Sequence, residues 1–425
     1  MEKKLAVLLC FYTFVTCSQV MAGNGINDFG YGAISASLGG ADLAVNTGVF
    51  ALNTNPAGLA NIENNRTEVN IEPFYYFNSH KDQFGKEEDL DPQASAVFAI
   101  GHAQRLDDNL VFALGLFAQG GAGFTYKNIN TAFGNEDTIS SSFGSFKIQS
   151  ALAWESASGQ VRIGAAVGLI YSEAEQELFS STSVDDGAGN VFYGIDVTGV
   201  SGLSTGYRFG FQYDVDKDWS IGGSYSSRSQ IKLEDGRAVL NQSASGFGKV
   251  TYKDASIKGL NIASDYGVGV AYRGFEKWEI SADYMIVKWS DALEKSTLVL
   301  SNPSSPSATP DVMRLTSTLN WHDQKVIAIG ARYDLSDISN LYFGYNYGRN
   351  PLPKEHTDPL LAVTANRHLT VGYSRNINKN IEFIGSIIYQ PKLKVKYTND
   401  ELPYGDNAVN KWEVLVAHVL FVYHW

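Results

Sequence analysis

The stretch YRFGFQYDVDKDWSIGGSYSSRSQIKL, Tyr207 to Leu233, decides the fold. Tyr207, Phe209, Phe211, Tyr213 and Val215 share one parity; Arg208, Gly210, Gln212 and Asp214 share the other. Side chains alternate across a strand, so this is a strand with one apolar and one polar face. Asp216-Lys217-Asp218 makes a tight turn, and the alternation resumes. Trp219, Ile221, Tyr225, Ile231 and Leu233 fall on one face, and Ser220, Ser224, Arg228, Gln230 and Lys232 on the other. One unbroken strand over 219–233 is expected.

Working outward, the same pattern recurs fourteen times. The segments are roughly 67–77, 94–105, 110–124, 142–155, 160–179, 205–215, 219–233, 263–274, 278–294, 325–335, 340–349, 366–376, 380–396 and 411–425. Short connections (106–109, 156–159, 216–218, 276–277, 336–339, 376–379) alternate with long ones such as 78–93, 180–204, 234–262 and 295–324. An even number of strands with short turns at one end and long loops at the other predicts an all-β chain, a 14-stranded antiparallel transmembrane β-barrel. Closure matters because only a closed barrel lets strands cross lipid with every backbone group paired. A soluble sandwich would need a dry core on one strand face, and faces carrying Arg208 and Gln212 do not supply one. Trp219, Trp278, Tyr345 and Tyr347, near strand ends, suit interfacial girdles.

The chain begins MEKKLAVLLCFYTFVTCSQVMA, a basic start, a short apolar run and a small-residue site, which reads as a signal peptide cleaved after Ala22. Both cysteines, Cys10 and Cys17, lie within it, so the mature chain has no disulfide. The formal charge of −12, from 33 basic and 45 acidic residues, argues against nucleic acid as a partner. No cofactor or metal pattern is present: there are seven histidines, of which only His418 and His424 are close along one strand. No Ser-His or Asp-His spacing suggests an enzyme.

Residues 23–66 precede the barrel, expected over 67–425. They are rich in small residues, low in charge and without alternation, which favours compact structure that fits a lumen. Within them NTNPAGLAN (53–61) is a turn: Pro56 pushes Asn55 out of the helical region, and Gly58 is permissive.

SASLGGADLA (35–44), ALNTNPAGLA (51–60), VKWSDALEK (287–295), IAIGARYDLSDISNLYFGYNYGRNPLP (327–353) and the opening stretch together resemble the FadL/TodX family of outer-membrane transporters for long-chain fatty acids and other hydrophobic compounds. The resemblance covers nearly the whole mature chain. It implies that 23–66 is a hatch plugging the lumen, with Asn55, Pro56 and Ala57 as its hallmark. It also implies passive uptake: a hydrophobic ligand binds in the lumen and leaves sideways into the membrane through a kink in the third strand. That kink is expected at Gln119, Gly120, Gly121 and Gly123, where the alternative is a strand running into a glycine-rich loop. Head-group candidates are Arg208, Arg228 and Lys232; hatch-anchoring candidates are Arg273 and Arg332. All these arginines would otherwise pair with lumen carboxylates such as Asp214, Glu279 and Asp283. Phe117, Phe124 and Phe179 are expected in an apolar pocket. Glu173, Glu175 and Glu177 stand where fatty-acid transporters tend to place basic residues. That departure favours neutral aromatic or aliphatic hydrocarbons as the alternative ligand. A general porin would lack the hatch, and an adhesin would not need one.

The last strand, KWEVLVAHVLFVYHW (411–425), ends on an aromatic residue, a signal resembling that read by the barrel insertion machinery, with Trp425 in place of the usual Phe. Its surroundings would be outer-membrane lipid and lipopolysaccharide of a Gram-negative cell.

Overall fold

The computed structural model describes residues 23–28, 30–187, 189, 191–305, 310–363, 365–402 and 406–425. The expected signal peptide, 1–22, with Cys10, Cys17 and the Ala22 cleavage site, lies outside the described residues.

The wall is a closed antiparallel barrel of 14 strands. They are β1 (Arg66–Tyr76), β2 (Ala94–Arg105), β3 (Leu110–Asn130), β4 (Glu136–Glu155), β5 (Val161–Asp185) and β6 (Val191–Asp214). Four strands in two segments each follow: β7 (Trp219–Ser226, Leu233–Gln242), β8 (Gly248–Lys258, Asp265–Phe275), β9 (Trp278–Val287, Lys295–Pro303) and β10 (Val312–Thr318, Gln324–Ser336). The barrel ends with β11 (Ser339–Gly348), β12 (Arg367–Asn376), β13 (Ile381–Tyr397) and β14 (Ala408–His424). β14 pairs with β1 from Arg66↔His424 to Tyr76↔Val414, which closes the cylinder and leaves no edge. A small hairpin, Ser79–Lys81 and Glu87–Asp89, sits on top of β14.

The outward face is apolar because it meets lipid. Leu203 and Val268, each 62% exposed, and the expected girdle residues Trp219, Trp278, Tyr345 and Tyr347 all point out of the barrel. No helix among the described residues is long and apolar enough to cross a membrane, and the crossing is made by strands.

The short turns fall where the alternation put them, but the long loops do not. Much of 180–204, 234–262 and 295–324 is strand, extending β5 to β10 into a tall collar. The collar stands above the lipid-facing band, so its outer face is polar and the two-residue signal fades there.

The expected unbroken strand over 219–233 is also corrected. Pairing stops after Ser226, and the parity flips. Trp219, Ile221 and Tyr225 face outward, yet Ile231 and Leu233 are buried while Arg228, Gln230 and Lys232 are exposed. One residue of slip moves every side chain to the other face. The neighbouring strands break along the same row: Ser226, Asp265, Val287 and Gln324 are successive cross-strand partners at its lower edge. In β9 the interruption holds a one-turn helix, α2 (Trp289–Ala292). Its Trp289 ring turns inward against the ring of Trp321.

Candidate functional site

Residues 23–28 and 30–65 fill the lower lumen. A short helix, α1 (Gly32–Ser37), leads to two 3-10 turns, Val49–Asn53 and Pro56–Asn61. So short a segment cannot satisfy its own backbone, and wall side chains do it instead. The Asp283 carboxylate accepts from the amides of Asp42 (2.8 Å) and Leu43 (2.9 Å), and Glu68 accepts from Val49 (2.9 Å). Arg105 donates to the carbonyls of Ala60 and Ile62, and Asn346 to that of Gly39.

The Asn55-Pro56-Ala57 turn is one of these seams. Asn55 Nδ2 donates to the carbonyls of Leu43 (2.6 Å) in the plug and Phe211 (3.0 Å) in the wall, while its Oδ1 accepts from the Ala57 amide (3.2 Å). Pro56 then opens the second 3-10 turn, where its missing N–H costs nothing. The turn rests on a cross-strand pair of glycines, Gly164 in β5 and Gly210 in β6. A Cβ on Gly164 would lie 2.3 Å from the Pro56 carbonyl carbon, and one on Gly210 1.9 Å from Asn55 Oδ1. We expect Asn55→Ala to loosen the plug by about 1–3 kcal/mol, because it removes the acceptor of the buried Ala57 amide and a donor to the Leu43 carbonyl, which keeps only Gln212 (3.1 Å). Faster proteolysis of 23–65 in the otherwise intact barrel would show it; an unchanged rate would refute the role.

Arg273 and Arg332 sit at the lower rim around one carboxylate. Arg273 pairs with Glu279 and donates to Ser220 Oγ (2.6 Å) and the Ala44 carbonyl of the plug (3.4 Å). Arg332 pairs with Glu279 (3.4 Å) and Asp334 (3.1 Å). Asp28, Asp42 and Asn55 are not among the partners these two arginines show.

The third strand parts from the second. β2 and β3 pair from Arg105↔Val111 up to Ala99↔Phe117 and no further, although both strands continue upward, β2 to Ala94 and β3 to Asn130. The β3–β4 ladder shifts register between Ala118 and Gly120, a bulge at Gln119. Above it, Gln119 to Phe124 are all buried, six in a row on both faces. A strand with one face on lipid alternates in exposure, and in this stretch that alternation stops because both faces are covered. The plug meets it there: the Gly121 amide donates to the Ile26 carbonyl (2.8 Å), and Gly120 bridges to Asn27. A Cβ on Gly120 would lie 2.3 Å from the Ile26 oxygen. Gln119 donates to the Tyr31 hydroxyl (2.9 Å), which donates back to the Gln119 carbonyl (2.7 Å).

Above the plug the lumen is greasy. A partly open cavity of about 150 Å³ is lined by Phe143, Ile195, Leu260, Leu298, Leu315 and Leu360 together with the polar Ser141, Glu175 and Asp358. A more open cavity of about 590 Å³ lies at the mouth, against Phe192, Tyr193, Met313, Asp358, Asp400 and Glu401. No Lys or Arg lines either cavity. The Thr318 amide, bonded to Glu401 at 3.0 Å, holds that carboxyl below its ordinary range.

The three head-group candidates are not brought together. Arg208 is buried and forms a two-point ion pair with Asp265 (3.1 and 3.0 Å), and also donates to the Thr54 carbonyl of the plug (2.9 Å). Arg228 and Lys232 face outward because of the parity flip. Phe117, Phe124 and Phe179 are buried but line neither cavity. Phe117 stacks near Tyr31 of the plug, Phe124 near Trp412 and Phe179 near Phe192. The cavity lining comes in part from segments such as 257–260, 296–298 and 358–361. Sequence reading missed them because they lie in stretches taken for loops. No cluster of metal-ligating side chains occurs among the described residues.

Similarity to known proteins agrees with this architecture. The solved structure of the Pseudomonas putida toluene transporter TodX superposes with a TM-score of 0.77 at 19% identity, covering 93% of this chain and 99% of that one. The Ralstonia pickettii toluene transporter TbuX gives 0.75 at 19%, covering 93% and 98%. A Pseudomonas aeruginosa FadL homologue gives 0.71 at 13%, covering 94% and 99%. At these identities the likeness is one of fold. Among curated proteins no sequence match is found. A family model, the outer membrane protein transport protein family (OMPP1/FadL/TodX), matches residues 12–409. The chain therefore belongs to the OMPP1/FadL/TodX family, Gram-negative outer-membrane channels that transport hydrophobic compounds rather than enzymes.

Proposed function

We propose that the protein takes up long-chain fatty acids or related hydrophobic molecules by passive diffusion. The ligand enters uncharged at the mouth, settles in the 150 Å³ cavity and leaves sideways where β3 parts from β2. The plug blocks the straight route to the periplasm. One observation carries this reading: a largely apolar cavity above a docked plug, in a wall where β3 has parted from β2. A single aromatic ring or a length of alkyl chain fits a cavity of this size against its leucine and isoleucine lining. Neutral aromatic or aliphatic hydrocarbons are the second reading, supported by a mouth that carries Asp358, Asp400 and Glu401 and no cation. The β14 strand ending at the exposed Trp425 supports recognition by the insertion machinery, and the apolar outer face supports contact with outer-membrane lipid and lipopolysaccharide.

The test is uptake in a Gram-negative strain lacking its own transporter of this kind. Growth on a long-chain fatty acid is compared with entry of a neutral aromatic hydrocarbon. Leu360→Trp fills the cavity and is expected to slow entry of the accepted ligand about tenfold. Uptake indifferent to both the protein and Leu360→Trp sinks the proposal.

A further inference from the structure

Five lumen arginines near the plug are matched by carboxylates: Arg66 by Glu68, Arg162 by Glu155 and Asp214, Arg208 by Asp265, and Arg273 and Arg332 by Glu279, while Arg105 is held by three backbone carbonyls. Lys147 of β4 has neither arrangement. Its side chain points into the lumen and is 4% exposed. Nζ has one hydrogen-bond partner, Asn53 Oδ1 of the plug, at 3.0 Å, and stands 6.0 Å from the ring centre of Phe117. No carboxylate of the described residues lies within ion-pair distance of it. An ammonium held by one neutral acceptor in so dry a place is a costly arrangement. Lys and other long charged side chains are almost never buried without a partner.

Its position adds a second observation. Lys147 is the cross-strand partner of Phe117, the last β3 residue still paired with β2. It therefore stands at the foot of the parting between the two strands. Directly above it come the Ser145–Ser172 pair, hydrogen-bonded at 2.7 Å, and then Phe143 and Ala174, which line the apolar cavity. From Phe143 to Lys147 is four residues, about 13 Å along a strand. That matches a medium-length alkyl chain.

We propose that Lys147 is a specificity-determining residue that receives the acidic head of an amphipathic ligand whose tail occupies the cavity. The inference rests on the uptake reading and deepens it. A carboxylic acid descends neutral past the acidic mouth, gives up its proton to water in the open lumen, and its carboxylate pairs with the Lys147 ammonium. The pair carries no net charge, so the uncompensated cation is removed. Forming it exchanges the bond to Asn53. Asn53 Nδ2 also donates to Gln119 Oε1 (3.3 Å), and Gln119 holds Tyr31, so the same exchange loosens the tie between plug and bulge.

The test is equilibrium binding to the purified full-length protein of dodecanoate, dodecan-1-ol and toluene, with heat-modifiable mobility as the check of folding. Lys147→Met is expected to weaken dodecanoate at least ~10-fold and to leave dodecan-1-ol within about twofold. Lys147→Gln keeps a donor for Asn53 but no charge, and is expected to behave like Lys147→Met. Lys147→Arg is expected to restore dodecanoate binding. Equal losses for acid and alcohol would mean a structural role and overturn the inference. So would a wild type that binds toluene and dodecan-1-ol with no preference for the acid; the uptake reading would then stand. Binding of none of the three would sink both.

Discussion

Arg208→Ala is expected to destabilise the plugged barrel by about 3–5 kcal/mol, the usual cost of removing one partner from a buried ion pair. The guanidinium bonds both Asp265 oxygens, Ser224 Oγ and the Thr54 carbonyl. Its side chain is 8% exposed and that of Asp265 17%, so solvent screens the pair little. Truncation leaves the Asp265 carboxylate without its guanidinium and the Thr54 carbonyl with Ser224 Oγ (2.6 Å) as its donor. Denaturant unfolding in detergent micelles measures the loss. The companion expectation is sharper: Arg208→Met with Asp265→Leu recovers most of it, since an apolar pair of similar volume replaces the ion pair without an orphaned charge. If instead Arg208→Ala is as stable as wild type and selectively loses an acidic ligand, Arg208 is a head-group ligand after all.

The second large effect is expected at Gly164. Three plug backbone atoms, the Pro56 carbonyl carbon and oxygen and the Ala57 nitrogen, lie within 2.5 Å of where a Cβ would stand. Backbone cannot rotate away as a side chain tip can. β5 itself accepts valine readily, since β-branched residues suit strands. Gly164→Val should therefore spare the wall and expel the plug. Overpacking of this kind costs about 1–3 kcal/mol. At the upper end that lowers the ratio of seated to unseated plug on the order of a hundredfold. Planar-bilayer recordings should then show a stable ion-conducting state that wild type lacks. A silent Gly164→Val channel with a correctly folded wall would mean that the plug does not depend on this seam.

How much was legible in the sequence follows from where the alternation has a physical cause. Around 205–215 one strand face meets lipid and the other a polar lumen, and strand, turn and facing could all be read. The glycine-rich, low-charge segment before Arg66 announced something compact inside the barrel, and Asn55-Pro56 marked its turn. Above the lipid band the cause disappears. The collar strands at 233–242 and 295–303 bury a greasy inner face and show a polar outer one, in short pieces bounded by Gly, Ser and Asn, and so looked like loops. The interruption after Ser226 is invisible to periodicity, and it carried Arg228 and Lys232 to the wrong side. Lys147 was hidden for a different reason. FKIQS (146–150) shows a lysine on the polar face of a strand, but not that its carboxylate is missing. A missing partner is a property of the assembled barrel alone.

The row of interruptions across β7 to β10 divides the wall into two storeys. The lower one holds the plug, the ion pairs and the register that closes the cylinder. The upper one holds the cavity lining. Since the hydrogen-bond ladders of the two are separated at 227–232, 259–264, 288–294 and 319–323, insertions or exchanges above the row need not propagate downward. Selection can thus rework what is recognised while the gatekeeping machinery stays untouched. A chimera carrying the upper storey of a relative should fold, keep its plug and adopt the donor's appetite.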